Sequence, residues 1–590
     1  MSTTTNSTIS TFVIKINGTA VPGDVSVLSV SVTKKVNGMA KAVFTVLDGS
    51  ADTGTFEASS STLFVPGNLV TIEAGYNMQN ALLFSGMITG QNLAIDQSVG
   101  SALVVECYDL AIKMTVARNC KTWFNTNDST IIQSITQSYT GISAAVTSTA
   151  FAVPQQIQAS VTDWDFIQSL AAANGMTATA VNNKLTVAPP DAQTATVAVI
   201  TYGNNLMEFK AELNAIHQLS SVKVSSWDYP TQTVQSTEQG NPYAGPGNLS
   251  SQTLSQVVGL KEYPMETTAS LDAQERSIQA KAELTKSNYA KITGKAKIQG
   301  TTLIEPASYI ELAGLGTRFN GHHFVSGIEH TLSDGNWISE VALGMAPEKE
   351  IKPQAISELP GIKGLYNATV KQMSQDPNNQ YLILVTIPVL DPAGTGMWAR
   401  LSQFYASSGA GAFFLPEVGD EVIVGFLDDH SGSPVILGSL YSNSKNKPYK
   451  TLQPQEKNPL KAIVSKSGIA LMFDDENKIL SLQTPANNTI VLSDNDKSLA
   501  IKDQNGNTFT LSESGIVMKS PNNITIQSDQ TLKLSGSQGV QIETSAGDLS
   551  LQGMNISQTA SQVYSANGAE MMDLKSGTEM TLRSAMILIN

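Results

Sequence analysis

The last quarter of the chain repeats a pair of apolar residues every eight positions. The pairs are Ile516 with Met518, Ile524 with Ile526, Leu532 with Leu534, and Val540 with Ile542. Two apolar positions separated by one residue are typical of a strand that buries a single face. Turn-forming residues such as those at 520–523 fill the gaps. A strand and a turn every eight residues is typical of a β-solenoid, so the pattern predicts a stiff β-rod.

Upstream of these octads, the apolar positions recur at a looser spacing near ten residues. The leading ones are Leu471, Leu482, Leu492, Ile501 and Leu511. We expect the rod to begin near Lys461, with the eight octad residues named above as its core. At about 4.8 Å per strand, a dozen strands make a needle on the order of 60 Å long.

Alternating apolar and polar residues also fill positions 11–115, where Gly, Asn and Asp separate short apolar runs. This spacing predicts the strands of a barrel or sandwich. Val30, Val43 and Phe44 are predicted to lie in its core. Strands are predicted again over 176–225 and 291–343.

Three helices interrupt the predicted strands. The first covers Ser129–Ser138. The second starts at Thr162 or Asp163, which can cap free backbone N–H groups, and stops at Gly175, a left-handed terminator. The third covers Asp272–Tyr289. The polar stretch 229–255, with its Gly and Pro residues, is predicted to be an exposed loop that binds cargo, binds a neighbouring protein or is merely solvated.

Two polar stretches divide the chain. Pro347–Pro360 is rich in proline and charge, and Asn443–Pro459 is mostly polar. We therefore predict three domains, at 1–350, 361–445 and 460–590, because 590 residues exceed what one core can organise.

The composition of the chain limits which classes of molecule can be its main partner. The net charge of −14 argues against nucleic acid or an anionic membrane as the main partner. Two cysteines, Cys107 and Cys120, cannot make a disulfide framework and fit a reducing compartment. No apolar run is long enough for a membrane-spanning helix, and the start lacks the features of a signal peptide. We expect no stable membrane insertion.

A long motif in the middle of the chain resembles a known family. Positions 398–403 read W-A-R-L-S-Q, 413–426 read F-F-L-P-E-V-G-D-E-V-I-V-G-F, and 434–441 read P-V-I-L-G-S-L-Y. These segments resemble the OB-fold domain of the VgrG spike proteins. The motif residues are Trp398, Arg400, Pro416, Gly419, Asp420, Glu421 and Gly438. Val422 and Phe426 are predicted to lie in the barrel core.

Two earlier segments are similar to the phage-hub-like (late control D-like) domain of the same family. Thr162–Leu170 with Asn174 and Gly175 resembles a helix of that domain. Residues 306–344, with His330 and Trp337, resemble its closing strands. The resemblance implies a mainly β fold: phage-hub-like β-barrel domains with a few helices, then an OB-fold barrel, then a C-terminal intertwined triple-stranded β-helix.

The resemblance also implies a function and partners. A VgrG-like protein would be the central spike and hub of a contractile injection system, capping the inner tube and puncturing the target envelope to deliver effectors. It would be a homotrimer, with the inner tube protein, a PAAR-type tip protein, baseplate components and effector cargo as partners. It would assemble in the bacterial cytoplasm and leave from the tip of the particle on contraction. Type VI secretion systems, extracellular phage-tail-like particles and contractile phages all use related hubs.

The apolar end Met586, Ile587, Leu588, Ile589 and Asn590 is a candidate site for the tip protein. A blunt end of a β-rod exposes unpaired strand edges and invites a cap. The alternative is that these side chains only close the last turn of the needle.

No catalytic, metal or cofactor site is predicted. Asp474, Asp475 and Glu476 are the densest carboxylates, but they lie at a predicted turn, where solvated acids are common. His322 and His323 are adjacent in a predicted strand and point to opposite faces. The aromatic residues Trp398, Phe404 and Tyr405 have no basic patch beside them, which disfavours nucleic-acid binding. The alternative function is a tailspike-like β-helix that binds or cleaves glycans.

Overall fold

In the first part of the chain, buried residues alternate with more accessible ones along the strands. In the computed structural model, β3 (Val27–Lys35) buries Val30 and Val32, and β5 (Lys41–Leu47) buries Phe44. Val43 is only half-buried because neighbouring residues of a strand face opposite sides, so its predicted core position is wrong. The structure describes residues 9–96, 100–191, 194–346, 359–377, 379–442, 445–449 and 452–589.

The described chain divides into two compact units, Met1–Lys450 and Thr451–Asn590. Strands of the first unit up to residue 350 are, in chain order, β1 (Ser10–Ile16), β2 (Thr19–Ala20), β3 (Val27–Lys35), β4 (Gly38–Met39), β5 (Lys41–Leu47), β6 (Leu69–Tyr76), β7 (Gln79–Asp96), β8 (Gly100–Tyr108), β9 (Arg118–Asn127), β10 (Ser143–Val146), β11 (Ala152–Thr162), β12 (Thr177–Val181), β13 (Lys184–Ala188), β14 (Ala198–Thr201), β15 (Leu206–Leu213), β16 (Ser221–Asp228), β17 (Thr233–Gly240), β18 (Tyr263–Thr267), β19 (Ile292–Gln299), β20 (Tyr309–Ala313), β21 (Gly321–Ser333) and β22 (Asn336–Leu343). The helices are α1 (Glu57–Ser60), α2 (Asp128–Gln137), α3 (Asp163–Ala173), α4 (Ser251–Val258), α5 (Ala273–Tyr289) and α6 (Gly316–Phe319), with 3-10 turns at Leu110–Thr115 and Leu427–Asp429.

A 13-stranded sheet forms the largest part of this unit. Its order is β15-β19-β22-β21-β3-β5-β8-β7-β6-β1-β2, with β14 and β20 attached through β21. Strands far apart in sequence meet here, since β21 pairs with β3 so that His330 lies opposite Val32. The sheet and its core of aliphatic and aromatic residues confirm the mainly β prediction.

The helix α3 begins and ends where its sequence predicts. The Thr162 hydroxyl accepts a hydrogen bond from the backbone N–H of Asp165, which caps the first turn. At the other end Gly175 has a φ of +66°, a backbone conformation that glycine adopts without strain. Phe166, Ile167 and Leu170 face the core shared with α2 and β12–β13.

A three-stranded sheet, β17-β16-β18, packs against α5. The prediction that residues 229–255 form an exposed loop is wrong, because β17 and the start of α4 lie within this range. The polar sequence of β17 is explained by its place at a sheet edge, where most of its side chains are exposed. Helix α5 begins with a capping box between Asp272 and Glu275, close to the predicted start.

A closed five-stranded barrel follows in the same unit, with its strands in the order β23-β24-β25-β29-β28. Its strands and the small hairpin beside it are β23 (Tyr366–Gln372), β24 (Ile383–Thr386), β25 (Met397–Leu401), β26 (Ala406–Ser407), β27 (Ala410–Gly411), β28 (Glu421–Phe426) and β29 (Pro434–Ser439). Val422 is fully buried and Phe426 packs at the edge of the core. Ile157 of β11 also belongs to this core, so the two-stranded β9–β11 sheet packs against the barrel.

The second unit contains a seven-stranded antiparallel sheet in chain order. Its strands are β30 (Leu460–Val464), β31 (Ala470–Asp474), β32 (Ile479–Gln483), β33 (Thr489–Ser493), β34 (Ser498–Lys502), β35 (Thr508–Ser512) and β36 (Gly515–Lys519). Within one chain this region is therefore a meander of hairpins and not a stack of solenoid coils. Left-handed residues in its turns, such as Lys478 and Lys497, permit the tight reversals.

The predicted domain boundaries stay predictions. Most of the predicted linker 347–360 lies outside the described residues, as do positions 443, 444, 450 and 451. The division between the two units falls at 450, inside the predicted polar stretch 443–459.

Candidate functional site: the apolar face of the terminal sheet

One face of the seven-stranded sheet carries a continuous line of apolar residues. Each residue lies directly opposite the next across the strand pair, from β30 to β36. The line consists of Ile463, Leu471, Leu482, Ile490, Ile501, Phe509 and Met518. Directly opposite apolar pairs are the unit of sheet stabilisation, so the register itself aligns these side chains.

A second line runs beside the first, two residues along each strand. It consists of Phe473, Leu480, Leu492, Leu499, Leu511 and Ile516. Residues two apart in a strand share a face, so the two lines form one apolar stripe, which we call the ladder face. It ends at Lys461, which lies opposite Phe473.

The reverse face of the same strands has smaller and more polar residues along its centre. They are Ala462, Met472, Ser481, Val491, Ala500, Thr510 and Val517. The two faces thus differ in character, and the ladder face is the one that gains most from leaving water.

The ladder face is not covered by the chain's own described residues. None of its apolar residues is buried, and Leu482, Leu492 and Ile516 are 44%, 46% and 67% exposed. A contiguous apolar stripe of this extent on a surface marks a site of interaction.

The turns between these strands are polar and locally bonded. Hydrogen bonds from Asn477 lower the pKa of Asp474, and hydrogen bonds from Asn507 lower the pKa of Asp503. Asp475 pairs with Lys461, and Glu476 pairs with Lys457 at 3.0 Å. The predicted carboxylate cluster is therefore part of ion-paired turns.

The predicted needle-core residues fall into two groups. Ile516 and Met518 lie in β36, opposite Leu511 and Phe509. Beyond β36 no strand is assigned over the described residues 520–589. The remaining octad residues Ile524, Ile526, Leu532, Leu534, Val540 and Ile542 are all more than half exposed. In the part of the single chain that the structure describes, the octads after β36 therefore have neither strand partners nor a core.

The candidate tip residues are also exposed. Met586, Leu588 and Ile589 are 73%, 83% and 86% exposed, and Ile587 is 49% exposed. Asn590 lies outside the described residues.

The OB motif residues lie on the closed barrel and shape its turns and edges. Pro416 is buried, and the turn that follows brings the Asp420 N–H to the carbonyl of Glu417. Gly419 occupies this turn with a φ of +94°, a conformation that explains the glycine. The Asp420 carboxylate accepts a hydrogen bond from the Glu417 N–H at 2.8 Å, which locks the turn.

Other motif residues connect strands. The Glu421 carboxylate accepts a hydrogen bond from the side chain of Asn367 at 2.8 Å. Gly438 lies opposite Ile423 at a register shift between β28 and β29. A glycine at such an irregularity is typical of a β-bulge.

Two motif residues join the barrel to the rest of the first unit. The backbone N–H of Trp398 donates to the side chain of Gln155 on β11, at 3.0 Å. The Arg400 guanidinium lies over the ring of Tyr229, 4.2 Å from its centre. The Tyr229 hydroxyl donates to Gln380 of the barrel. Sequence reasoning missed these contacts, since nothing in the separate segments indicates that they meet.

The adjacent histidines do not share a site. His323 is buried and its ring bonds the carbonyl of Phe319, whereas His322 is exposed. Burial lowers the pKa of His323 to about 4. Among the described residues, no three His, Cys, Asp or Glu side chains come together as metal ligands. The helices in the described ranges include none with the length and apolar character needed to cross a bilayer.

Two known protein families together match most of the chain. Residues 6–334 match the family described as the Alg8 N-terminal domain. Residues 366–441 match the family described as the type VI secretion system/phage-baseplate injector OB domain.

Two curated relatives are similar over the barrel region. The Type VI secretion system spike proteins VgrG1a and VgrG1b of Pseudomonas aeruginosa are each 32% identical to this chain over 78 residues, which is 13% of it. The aligned part covers only 12% of VgrG1a and 10% of VgrG1b. These matches confirm the resemblance to VgrG spike proteins.

One solved structure is similar over most of the chain. A chain of the lidded Francisella PdpA–VgrG complex matches with a TM-score of 0.52 at 12% identity, covering 87% of this chain and 81% of that one. At this identity the likeness is one of fold.

Proposed function

This chain belongs to the Alg8 N-terminal domain family, and we propose that it works as the central hub and spike of a contractile injection apparatus. In this function three copies associate through the terminal unit and form a needle. The rest of the chain forms the hub that caps the inner tube. Its action is mechanical, by puncturing a target envelope to deliver effectors, and involves no catalysis.

The exposed ladder face carries this proposal. A sheet one layer thick with an apolar stripe two residues wide cannot close a core alone. Three such sheets around one axis can turn their stripes inward and form a dry prism, and three-fold closed symmetry is a common solution for identical chains.

The octads after β36 support the same arrangement. No strand pairing is assigned to their apolar pairs over the described positions 520–589, although the spacing of pairs and turns is regular. Winding three copies together would supply strand neighbours on both sides of each octad and satisfy the backbone groups that one chain leaves unpaired.

The proposed partners follow from the same assignment. Met586, Ile587, Leu588, Ile589 and Asn590 would form the seat of a PAAR-type tip protein. The hub would contact the inner tube and baseplate components, and effector cargo would travel with the spike. Leu588→Asp should abolish co-elution with a PAAR-type protein while leaving the mass of the spike assembly unchanged.

Light scattering on the purified full chain tests the trimer. A particle of three times 62.6 kDa is expected over a range of concentrations. A stable monomer would contradict the proposal and would favour a single-chain rod of the tailspike type.

Paired variants test whether the ladder face is the contact. Leu482→Asp places a charge on the ladder face, whereas Ser481→Asp places the same charge on the reverse face of the same strand. The first should reduce the particle to a monomer and the second should leave it trimeric. Equal behaviour of the two variants would show that this face does not mediate association.

A further inference from the structure

Four exposed aromatic residues of the barrel domain lie in one hairpin. This hairpin contains β26 and β27 and occupies positions 404–415, which we call the arm. Every residue of the arm is exposed except Ala412, which is half-buried. Phe404 and Phe413 are 83% and 73% exposed, and Tyr405 and Phe414 are each more than half exposed. Four aromatic rings left in water on one short segment mark the arm as a contact surface.

The arm is a regular hairpin that lacks support from other strands. The backbone N–H of Ala412 donates to the carbonyl of Tyr405 at 2.9 Å, and the side chain of Gln403 donates to the carbonyl of Phe414 at 2.8 Å. Among the described residues, β26 and β27 pair only with each other. A two-stranded hairpin alone is marginally stable in water, so a surface that covers the arm would stabilise it.

The sequence of the arm indicates what kind of surface it contacts. Positions 401–416 contain no Asp, Glu, Lys, Arg or His. The centre of a protein–protein interface is depleted of charged residues and enriched in aromatic ones, whereas a surface that binds single-stranded nucleic acid combines aromatic rings with positive charge. The arm therefore fits an apolar protein surface.

A matching apolar surface lies on the outer face of the same barrel. Val424 and Ile436 face the core, so their neighbours in β28 and β29 face outwards. Leu365 and Leu437 adjoin there above Gly425, since a Cβ added to this glycine would lie 3.1 Å from Cδ2 of Leu365 and 3.9 Å from Cδ1 of Leu437. The two leucines are 61% and 50% exposed. We call the surface formed by Leu365, Gly425 and Leu437 the seat.

Within one chain the arm and the seat do not cover each other, because both are exposed. A second copy of the chain offers the same apolar seat. Since the arm and the seat are different surfaces of one barrel, contact between copies is head-to-tail and can close into a ring of three. We propose that the arm of each copy packs on the seat of the next copy, so that three barrels form a closed ring.

The contact is too small to hold copies together alone, so this proposal rests on the trimer of the proposed function. At roughly 150–250 Å² for each aromatic side chain, the exposed parts of the four rings give about 500 Å². With an equal area on the seat, one contact buries about 1,000 Å², the lower limit for a specific interface.

Association through the terminal unit supplies the missing stabilisation. The first strand of that unit, β30, follows the barrel after about 20 residues, which reach at most roughly 70 Å when extended. Copies joined through the ladder face therefore keep their barrels close together. The contact between arm and seat then forms at a high effective concentration.

Photo-crosslinking in the full chain tests the contact. Phe413→p-benzoylphenylalanine places a photoreactive ketone in the arm. Tyr381→p-benzoylphenylalanine is the control, because this aromatic residue of the barrel domain is 83% exposed and lies outside the arm. After irradiation the first variant should yield products of two and three times 62.6 kDa, linked through β28 or β29 of the next chain. The control should remain a single chain on a denaturing gel.

Light scattering on the same samples separates this proposal from the trimeric needle. A trimer without a chain-to-chain product from position 413 would overturn the contact between arm and seat and leave the needle standing. Equal yields from positions 413 and 381 would overturn it too. A monomer would contradict both proposals, because no second copy would be present to receive the arm.

A variant of the seat locates the surface that the arm contacts. Leu437→Asp, combined with the photoreactive residue at position 413, should reduce the yield at least about tenfold, since a carboxylate would be buried against the aromatic rings. The trimeric mass should remain. Val389→Asp introduces the same charge at a 67% exposed aliphatic residue in another turn of the barrel, and should leave the yield unchanged. An unchanged yield in Leu437→Asp would overturn the assignment of the seat.

Discussion

The side-chain oxygen of Gln155 accepts a hydrogen bond from the backbone N–H of Trp398, at 3.0 Å, across 243 positions of the sequence. The same amide donates to the carbonyl of Ser431 at 3.4 Å. Gln155 is 7% exposed; its bond to Ser431 is buried and its bond from Trp398 is partly buried. One side chain from the two-stranded β9–β11 sheet thus satisfies backbone groups on two parts of the barrel.

Replacing this side chain should destabilise the barrel. Gln155→Ala leaves a buried backbone N–H without a partner and should lower the free energy of unfolding by about 1–3 kcal/mol. Gln155→Glu keeps the acceptor for Trp398, but its ionised carboxylate cannot donate to the carbonyl of Ser431, so this variant should be less stable than the parent at pH values where the carboxyl is ionised. Urea denaturation followed by tryptophan fluorescence measures both, and an unchanged midpoint for Gln155→Ala would show that the bond contributes nothing.

The β9–β11 sheet also contributes apolar packing to the barrel. Ile157 is 2% exposed and lies in the core formed by β23–β25 and β28–β29. Ile157→Ala should cost about 2–5 kcal/mol through lost contacts and a cavity. Hydrogen exchange at 422–426 should accelerate. Val153→Ala, a half-buried position of the same strand, is the control and should change exchange there much less.

The start of α5 should respond to pH. Burial raises the pKa of Glu275 to about 7, and the charges of Asp272 and Asp128 add to this effect. A carboxyl whose pKa is raised in the folded state binds its proton more tightly there, so its ionisation destabilises the fold as pH rises from about 4.5 through 7.

Glu275→Gln should remove that dependence. Glutamine can accept the same N–H bond from Asp272 in the capping box but carries no charge. The variant should be more stable than the parent at pH 8 and lose this advantage at pH 5. Thermal unfolding at both values measures it. Glu283→Gln on the same helix, where Glu283 pairs with Lys286, serves as control. A greater gain at pH 5 than at pH 8 would contradict the sign.

His330 should make the fold less stable as the pH falls, which is the opposite pH dependence to that of Glu275. It is fully buried in β21, where burial and the charge of Lys34 lower its pKa to about 3. Its Nδ1 bonds the Ser339 hydroxyl at 2.7 Å. In the unfolded chain this histidine binds a proton near pH 6.5, whereas in the folded chain it stays neutral at that pH. The free energy of unfolding therefore falls as the pH drops below 6.5.

His330→Gln should flatten the loss of stability between pH 6.5 and pH 4, although it lowers stability at pH 7 through imperfect packing. Denaturant midpoints over this range measure the slope. His322→Gln, which changes an exposed neighbouring histidine, should leave the slope unchanged. A slope identical in the His330 variant and the parent would exclude this histidine as the cause.

Local sequence signals predicted individual elements well. The cap at Thr162 and the left-handed Gly175 each depend on a few neighbouring residues, so both ends of α3 could be placed from sequence alone. The helix predicted over Asp272–Tyr289 agrees with α5, although its capping box was not predicted. The turn at 417–420 is local in the same way.

Other features could not be predicted because they depend on distant partners. The strand β17 has a polar sequence that resembles a loop and becomes a strand only through pairing with β16. The place of Ile157 in the barrel core requires two segments that are far apart in sequence. The spacing of apolar residues predicts five members of the ladder face, namely Leu471, Leu482, Leu492, Ile501 and Leu511. Their arrangement in two lines with Phe473 and Leu499 depends on hairpin registers that the turns fix.

The octads supply the last prediction. Leu532 and Leu534 form one apolar pair with Lys533 between them, so a strand formed from 532–534 points the leucines to one face and the lysine to the other. If three chains enclose the leucines, Leu532→Asp places three carboxylates in a dry core, where unpaired charges are costly. The variant should lose its high-temperature melting transition and its trimeric mass. Lys533→Asp introduces the same residue on the outer face and should keep both. A trimer with unchanged melting in Leu532→Asp would refute the packing of the octads. It would show that position 532 is solvated, because a carboxylate costs little only where water reaches it.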